Sequence, residues 1–244
     1  MTKIIGIVSW LPSEEPDRTA RFERVQRLIR RIKELWPELC IMILAQNWKP
    51  QNVDAIQDIT NKVVIYSTLE RLGILCARKK LRQLLLKTSA QYFMLFDDDA
   101  IIEDTGNGHE EMLRLMDEHP NGWAFSTHFA ENSVPAKYNP FSHSQLNLCC
   151  ISRYIFEQED FPDVDPERSQ GFEDRVYSMT LLCKYPELRW SLPEYIYCTH
   201  FKNPNEALPS TWSRRRRYRW KYMVANTEKI EYELMQRYKS SKTE

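Results

Sequence analysis

Glycine is scarce in this chain, with six residues in 244. That scarcity excludes a Gly-rich phosphate loop and a GxGxxG dinucleotide fingerprint, both of which need bare backbone close to a phosphate. A nucleotide bound here is therefore expected to be held by side chains and a metal. The six cysteines (Cys40, Cys76, Cys149, Cys150, Cys183 and Cys198) include no Cys-x-x-Cys pair. Their spacing argues against structural zinc, and their mostly apolar surroundings suit small hydrophobes in a reducing compartment. No apolar run is long enough to span a bilayer, and the opening Met1-Thr-Lys-Ile-Ile-Gly-Ile-Val-Ser9 lacks a signal-peptide layout. The expectation is a cytoplasmic protein with no transmembrane segment. The formal net charge is zero, so bulk charge names no partner, although Asp97–Glu118 is strongly acidic and Arg214–Lys221 basic. With 42% hydrophobic and 28% charged residues, the composition is that of a globular chain with ample core.

What is present centres on Gln91-Tyr-Phe-Met-Leu-Phe-Asp-Asp-Asp-Ala100. Tyr92–Phe96 is an apolar run of strand length, as expected for a strand buried on both faces. Three carboxylates follow at once, at the end of the strand where open α/β sheets bind ligands. Adjacent carboxylates repel, and they relieve this by splaying into water, by protonation or by binding a hard divalent cation. A solvated acidic turn is the plain alternative.

The pattern along the chain predicts strands at Lys3–Trp10, Leu39–Ala45, Lys62–Tyr66, Tyr92–Phe96, Trp123–Phe129, Asn147–Phe156 and Glu194–Phe201. Helices are predicted at Arg18–Trp36, Val53–Ile59, Leu75–Ser89, His109–His119, from Gly171 to about Cys183, and over Ser210–Tyr238. Glu103–Gly108, Glu131–Gln145 and Asp160–Gln170 read as loops. This alternation predicts an α/β fold with a mainly parallel twisted sheet flanked by helices. Arg21, Arg24, Arg27, Arg30, Arg31 and Lys33 fall on the outer face of the first helix and read as a solvated basic surface.

Several groups are placed to act together. Asp97, Asp98 and Asp99 offer oxygen ligands, and Glu173-Asp174 sits at a helix start. His200 ends a strand, and Arg78-Lys79 lies in the first turns of the helix before the acidic strand. Ser9 ends the first strand and Asn47 follows the second. A second Asp-x-Asp, Asp163-Val-Asp165, has no buried strand before it and reads as loop.

The order of a first β-α unit, Leu72-Gly-Ile-Leu-Cys-Ala-Arg-Lys79, Tyr92-Phe-Met-Leu-Phe-Asp-Asp-Asp99, Gly171-Phe-Glu-Asp174 and then His200 resembles nucleotide-sugar glycosyltransferases of the GT-A fold. The similarity is to the large inverting family with a DxD motif and a later Glu-Asp motif, and it covers roughly residues 3 to 201. It implies that Asp97 contacts the donor ribose or the metal and that Asp99 coordinates Mn²⁺ or Mg²⁺. It also implies His200 as a third ligand and Asp174 as the general base for the acceptor hydroxyl, with Glu173 orienting the acceptor. Ser9, Asn47, Arg78, Asp97 and Asp98 would line the donor. Relatives often carry Asn where this chain has Lys79, so Lys79 departs from the pattern. A helix N-terminus would favour an ionised Asp174.

The tail Ser213-Arg-Arg-Arg-Arg-Tyr-Arg-Trp-Lys-Tyr222 mixes basic and aromatic residues. Arg214, Arg215, Arg216, Arg217, Tyr218 and Trp220 suit nucleic acid, an anionic membrane surface, or a docked helix with solvated arginines. The expected organisation is a GT-A-like domain over 1–209 and a basic, aromatic helical extension over 210–244. The leading expectation is transfer of a sugar to a cell-envelope or lipid-linked glycan. The alternatives are a phage-type DNA glycosyltransferase acting on a hydroxylated base and a non-catalytic nucleic-acid-binding protein. A nucleotidyltransferase is disfavoured because Ile5-Gly-Ile-Val-Ser-Trp-Leu-Pro12 lacks a Gly-rich loop.

Overall fold

Continuous apolar runs make strands that must be covered on both faces, and this chain supplies helices for each face. The computed structural model describes residues 1–127, 144–162, 173–193 and 195–200, with backbone alone at 126, 127, 144–147, 173–175, 197, 199 and 200. Strand β1 (Lys3–Trp10) lies at the centre. It runs parallel to β2 (Cys40–Gln46) on one side and β4 (Tyr92–Asp97) on the other. β3 (Val63–Thr68) runs parallel to β2 at one edge. Beyond β4 come β7 (Ser144–Ser152), antiparallel to it, and β6 (Trp123–Thr127), antiparallel to β7. The six-stranded order is β3-β2-β1-β4-β7-β6. A separate antiparallel pair joins β5 (Ala100–Asp104) to β8 (Ile196–His200).

On one face, α1 (Asp17–Leu35) lays Val25, Leu28, Ile29 and Ile32 against Ile5, Ile7, Ile41 and Ile43. Met112 and Met116 of α4 (Gly108–Glu118) extend the same core. On the other face, α3 (Ile74–Leu85) packs Leu81 and Leu85 on Ile4 and Leu95. That core also holds Phe156 of α5 (Arg153–Gln158), and Tyr177 and Leu181 of α6 (Glu173–Lys184). The short α2 (Pro50–Gln57) buries Ile56. Gly6 is required by this layering, since a Cβ there would stand 2.9 Å from both Leu85 Cδ1 and Leu95 Cδ2.

Most expected elements are present within a few residues of their predicted bounds. Two differ in kind. Glu103–Gly108, predicted as loop, begins inside β5, because the strand's ladder partner β8 lies far along the chain and leaves no local signal. The predicted strand Asn147–Phe156 ends at Ser152 and turns into α5. Ser152 Oγ accepts from the Ile155 backbone N–H at 3.4 Å, and Arg153 donates to the carbonyls of Ala90 and Thr88 at 2.7 and 2.5 Å. The α1 arginines are not simply a solvated face. Arg18 is 4% exposed and donates to the carbonyls of Pro12 and Asn47, while Arg31 donates to the Ile102 carbonyl. No helix among the described residues is long and apolar enough to cross a membrane. The expected boundary at 209/210, the helix over 210–238 and the acidic loop holding Asp163 and Asp165 lie outside the described residues.

Buried thiols and phenols follow the same logic. Burial pushes the Cys149, Cys150 and Cys198 thiols up, so they stay protonated and pack as small hydrophobes. Burial also raises the Tyr92 phenol, which donates to the Gly122 carbonyl at 2.6 Å and accepts from Trp190 Nε1 at 2.9 Å. This hydroxyl ties the acidic strand to the residue just before β6 and to the approach to β8. Tyr92→Phe leaves Trp190 Nε1 buried and unpaired, while the Gly122 carbonyl keeps the Ser152 N–H at 3.0 Å, so it should cost about 1–3 kcal/mol in chemical denaturation. Tyr92→Phe combined with Trp190→Phe should lose less than the sum of the single changes.

Candidate active site

Strand β4 is buried from Tyr92 to Phe96 and ends on Asp97, so its chemistry emerges only in the following turn. The three carboxylates have three different surroundings. Asp97, half-buried, accepts from Arg78 Nη2 of α3 at 2.8 Å. Asp98 is 3% exposed and receives Arg21 in a two-pronged contact, Nε at 3.2 Å and Nη2 at 2.7 Å, with the Trp10 backbone N–H at 3.3 Å. Asp99 is half-buried at the turn before β5. Alternation along the turn thus leaves Asp97 and Asp99 on the flanks and withdraws Asp98 into the protein. Asp98 was expected among the donor contacts. Its carboxylate is instead occupied by Arg21.

Burial pushes the Asp98 carboxyl above the ordinary carboxylate range. The Arg21 guanidinium pulls against that shift and the Asp99 charge adds to it. Burial alone would lower the Arg21 guanidinium, but the neighbouring carboxylates outweigh it and hold the charge in place. Ser9 Oγ is enclosed with no partner in hydrogen-bond geometry, yet it lies close enough to Asp98 to favour the ionised form.

The carboxyl ends of β1, β2 and β3 are stitched together beside this turn. Asn47 adopts a left-handed φ of 59°. Its backbone N–H donates to Thr68 O at 2.7 Å and its Nδ2 to Leu11 O at 2.9 Å. Gln46, 2% exposed, accepts the Leu72 N–H at 2.8 Å, which anchors the entry to α3. Two guanidinium groups lie over the Trp10 ring, Arg71 at 4.0 Å and Arg21 at 5.6 Å from its centre. Arg21, Trp10, Gln46 and Arg71 were not singled out in the sequence as site residues. Only the pairing of Arg18 with Arg21, three apart at a helix start, hints at a shared inward direction.

Arg78 and Asp97 also line a cleft with Gly6, Arg82, Phe156 and Phe161. The backbone places Glu173 and Asp174 at the first residues of α6, and α6 packs beside β7. His200 ends β8 directly across from Ala100, one residue past the acidic turn. The side chains of Glu173, Asp174 and His200 are not among those described. Among the described residues no three His, Cys, Asp or Glu side chains converge as a metal site. The oxygen donors beside the turn are Asp97 and Asp99. Arg214, Arg215, Arg216, Arg217, Tyr218 and Trp220 lie outside the described residues.

No family model matches the chain, and no curated protein matches it in sequence. Solved structures do match in shape. The S. aureus TarS 1-349 structure covers 81% of this chain at TM-score 0.56 and 13% identity, and this chain spans 60% of its length. The same TarS fragment in complex with UDP-GlcNAc covers 98% of this chain, with 73% of its own length matched, at TM-score 0.60 and 12% identity. HddC from Yersinia pseudotuberculosis covers 84% of this chain and is itself 96% covered, at TM-score 0.50 and 15% identity. The fold is GT-A-like. At such identities the likeness is one of architecture. In this GT-A-like sheet the acidic turn, the start of α6 and the end of β8 all follow β4 in the chain.

Arg21→Gln removes the only guanidinium that an ion pair joins to Asp98 among the described contacts. Breaking such a buried pair should cost about 3 kcal/mol at neutral pH, the low end for buried pairs because Arg21 is partly exposed. Without Arg21 the folded-state pKa of Asp98 rises further above its unfolded value. Stability is then lost as pH climbs from the unfolded pKa towards the folded one, so the difference from wild type should shrink on acidification to about pH 4. Urea melts at several pH values measure this.

Proposed function

We propose that this chain is a metal-dependent, inverting glycosyltransferase that moves a sugar from a nucleotide-sugar donor to an acceptor hydroxyl. The observation that carries this reading is the acidic turn on β4 of a GT-A-like sheet, with Asp98 clamped by Arg21 and Asp97 and Asp99 left flanking it. Two half-buried carboxylates are a hard-oxygen donor set. They fit Mn²⁺ or Mg²⁺, which bind through one or two protein carboxylates and take further oxygens from phosphate and water. Asp97 and Asp99 would hold the ion, with the His200 imidazole as a third ligand. When bound, the cation supplies Lewis-acid neutralisation of the charge left on the departing nucleoside diphosphate.

The remaining steps belong to the chain. Arg78, now on Asp97, carries a guanidinium suited to the donor diphosphate. Ser9 and Asn47 stand at the strand ends where the nucleoside would lie. Asp174 would accept the proton of the acceptor hydroxyl as its oxygen bonds the anomeric carbon and the bond to the diphosphate breaks, with Glu173 orienting the acceptor. TarS has been solved with UDP-GlcNAc and with UDP, which makes uridine nucleotides the first donors to test. The acceptor we propose is a cell-envelope or lipid-linked glycan, reached from the cytoplasm.

Thermal-shift measurements with nucleoside diphosphates and nucleotide sugars, with and without Mn²⁺, test the donor site. A ligand at a hundred times its dissociation constant stabilises the native state by about 2.7 kcal/mol. A metal-dependent shift is expected with one nucleotide and should vanish in Asp99→Ala. No metal-dependent shift with any nucleotide would discard the reading. Asp174→Asn should lower transfer by about 10²–10⁴-fold while the donor-induced shift stays unchanged. A parallel loss of donor affinity would remove Asp174 from the role of base.

A further inference from the structure

Strand β3 is the edge of the main sheet, and among the described residues no strand lies on its outer side. Edge strands of soluble proteins are commonly guarded by charge, proline or a bulge. β3 has none of these. Its sequence is Val63-Val-Ile-Tyr-Ser-Thr68, without a charged residue, and Val64 and Tyr66 are 47% and 42% exposed on one face. The other face is different, since Val63 and Ile65 pack partly into the core.

The direction of the backbone decides what this edge can accept. Ile41 N–H donates to Lys62 O at 2.9 Å and Asn47 N–H to Thr68 O at 2.7 Å. In a parallel ladder a residue's N–H and C=O point to the same side and alternate along the strand. The even-numbered residues of β3 therefore bond β2, and Val63, Ile65 and Ser67 present their N–H and C=O groups outward.

We infer that β3 is a homodimer interface, in which two copies of this chain pair antiparallel about a two-fold axis through Ile65. This register places Ile65 opposite Ile65 of the second copy and Val63 opposite Ser67, so every outward N–H and C=O of the strand is bonded. Sliding by two residues leaves an outward residue unpaired or draws in Leu69, beyond the strand. The same register sets Val64 against Tyr66 in the non-hydrogen-bonded positions, where the Cα atoms of an antiparallel pair approach to about 4.5 Å. An aromatic residue against a β-branched one is a favourable cross-strand pair, and here it occurs twice by symmetry on the exposed face. A neutral strand brings no repulsion to its own copy, which is what a self-complementary interface requires. The pairing of one short edge buries little area, so association is concentration-dependent.

Sedimentation velocity over micromolar to submillimolar concentrations tests the interface. A species of twice the chain mass should grow with concentration. Val64→Lys and Tyr66→Lys should abolish it while circular dichroism and melting stay near wild type, because both residues are already exposed. Leu69→Lys should leave it intact: Leu69 is 88% exposed but outside the paired segment. Register is tested by crosslinking in a background in which the exposed Cys40 and Cys76 are replaced by serine. Val64→Cys chains mixed with Tyr66→Cys chains and oxidised with glutathione disulfide should form a mixed disulfide dimer, and neither chain should do so alone. A wild-type chain that stays monomeric throughout overturns the inference. So does a dimer that survives both lysine substitutions, or crosslinking as strong within each variant as between them.

Discussion

Three carboxylates in a row at the end of a buried strand repel one another, by roughly 4 kcal/mol per pair at 4 Å and an effective dielectric of 20. Much of the architecture around β4 answers that repulsion. Arg21 reaches from α1 on one side of the sheet to clamp Asp98, and Arg78 reaches from α3 on the other to bond Asp97. Each helix is thus tied electrostatically to the strand it covers, in addition to its apolar packing. A turn that would be a liability in a bare strand becomes a fixed feature, with Asp98 enclosed and Asp97 and Asp99 at its flanks.

The same helix ends serve the neighbouring loops. Arg18 fastens the carbonyls of Pro12 and Asn47, so the segments after β1 and β2 are both held from the start of α1. Asn47 then links β2 to β3 and back to Leu11. Polar loops at the carboxyl ends of parallel strands carry many backbone groups that the sheet no longer satisfies. Here they are satisfied by buried side chains, which is why Gln46 and Arg18 are enclosed although both are polar.

The strand-helix alternation, the mainly parallel sheet and the position of Asp97 at a strand end were legible in the sequence because they rest on local periodicity. What was not legible depends on long-range partners. β5 has too few residues to announce itself and is a strand only because β8 pairs with it. Arg21 looks much like the other arginines of an amphipathic helix, and only its spacing from Arg18 at the helix start sets it apart from Arg24 or Arg27. Asp98 is identical in type to its neighbours, and only the alternation of the turn sends it inward. The start of α5 was masked because apolar residues resume at Tyr154, Ile155 and Phe156 after only Ser152 and Arg153, the cap and first residue of the helix.

The β5–β8 ladder carries a consequence for how the molecule comes into being. Ala100 pairs with His200, so the strand that follows the acidic turn finds its partner only after most of the sheet-forming chain has been made. Contacts between residues so distant in sequence are costly in loop-closure entropy and form late in folding. The half from β1 to β4 is made of near neighbours and can assemble first. The β5–β8 ladder closes afterwards, and a chain emerging from the ribosome holds its acidic turn without the partner strand until synthesis has passed His200.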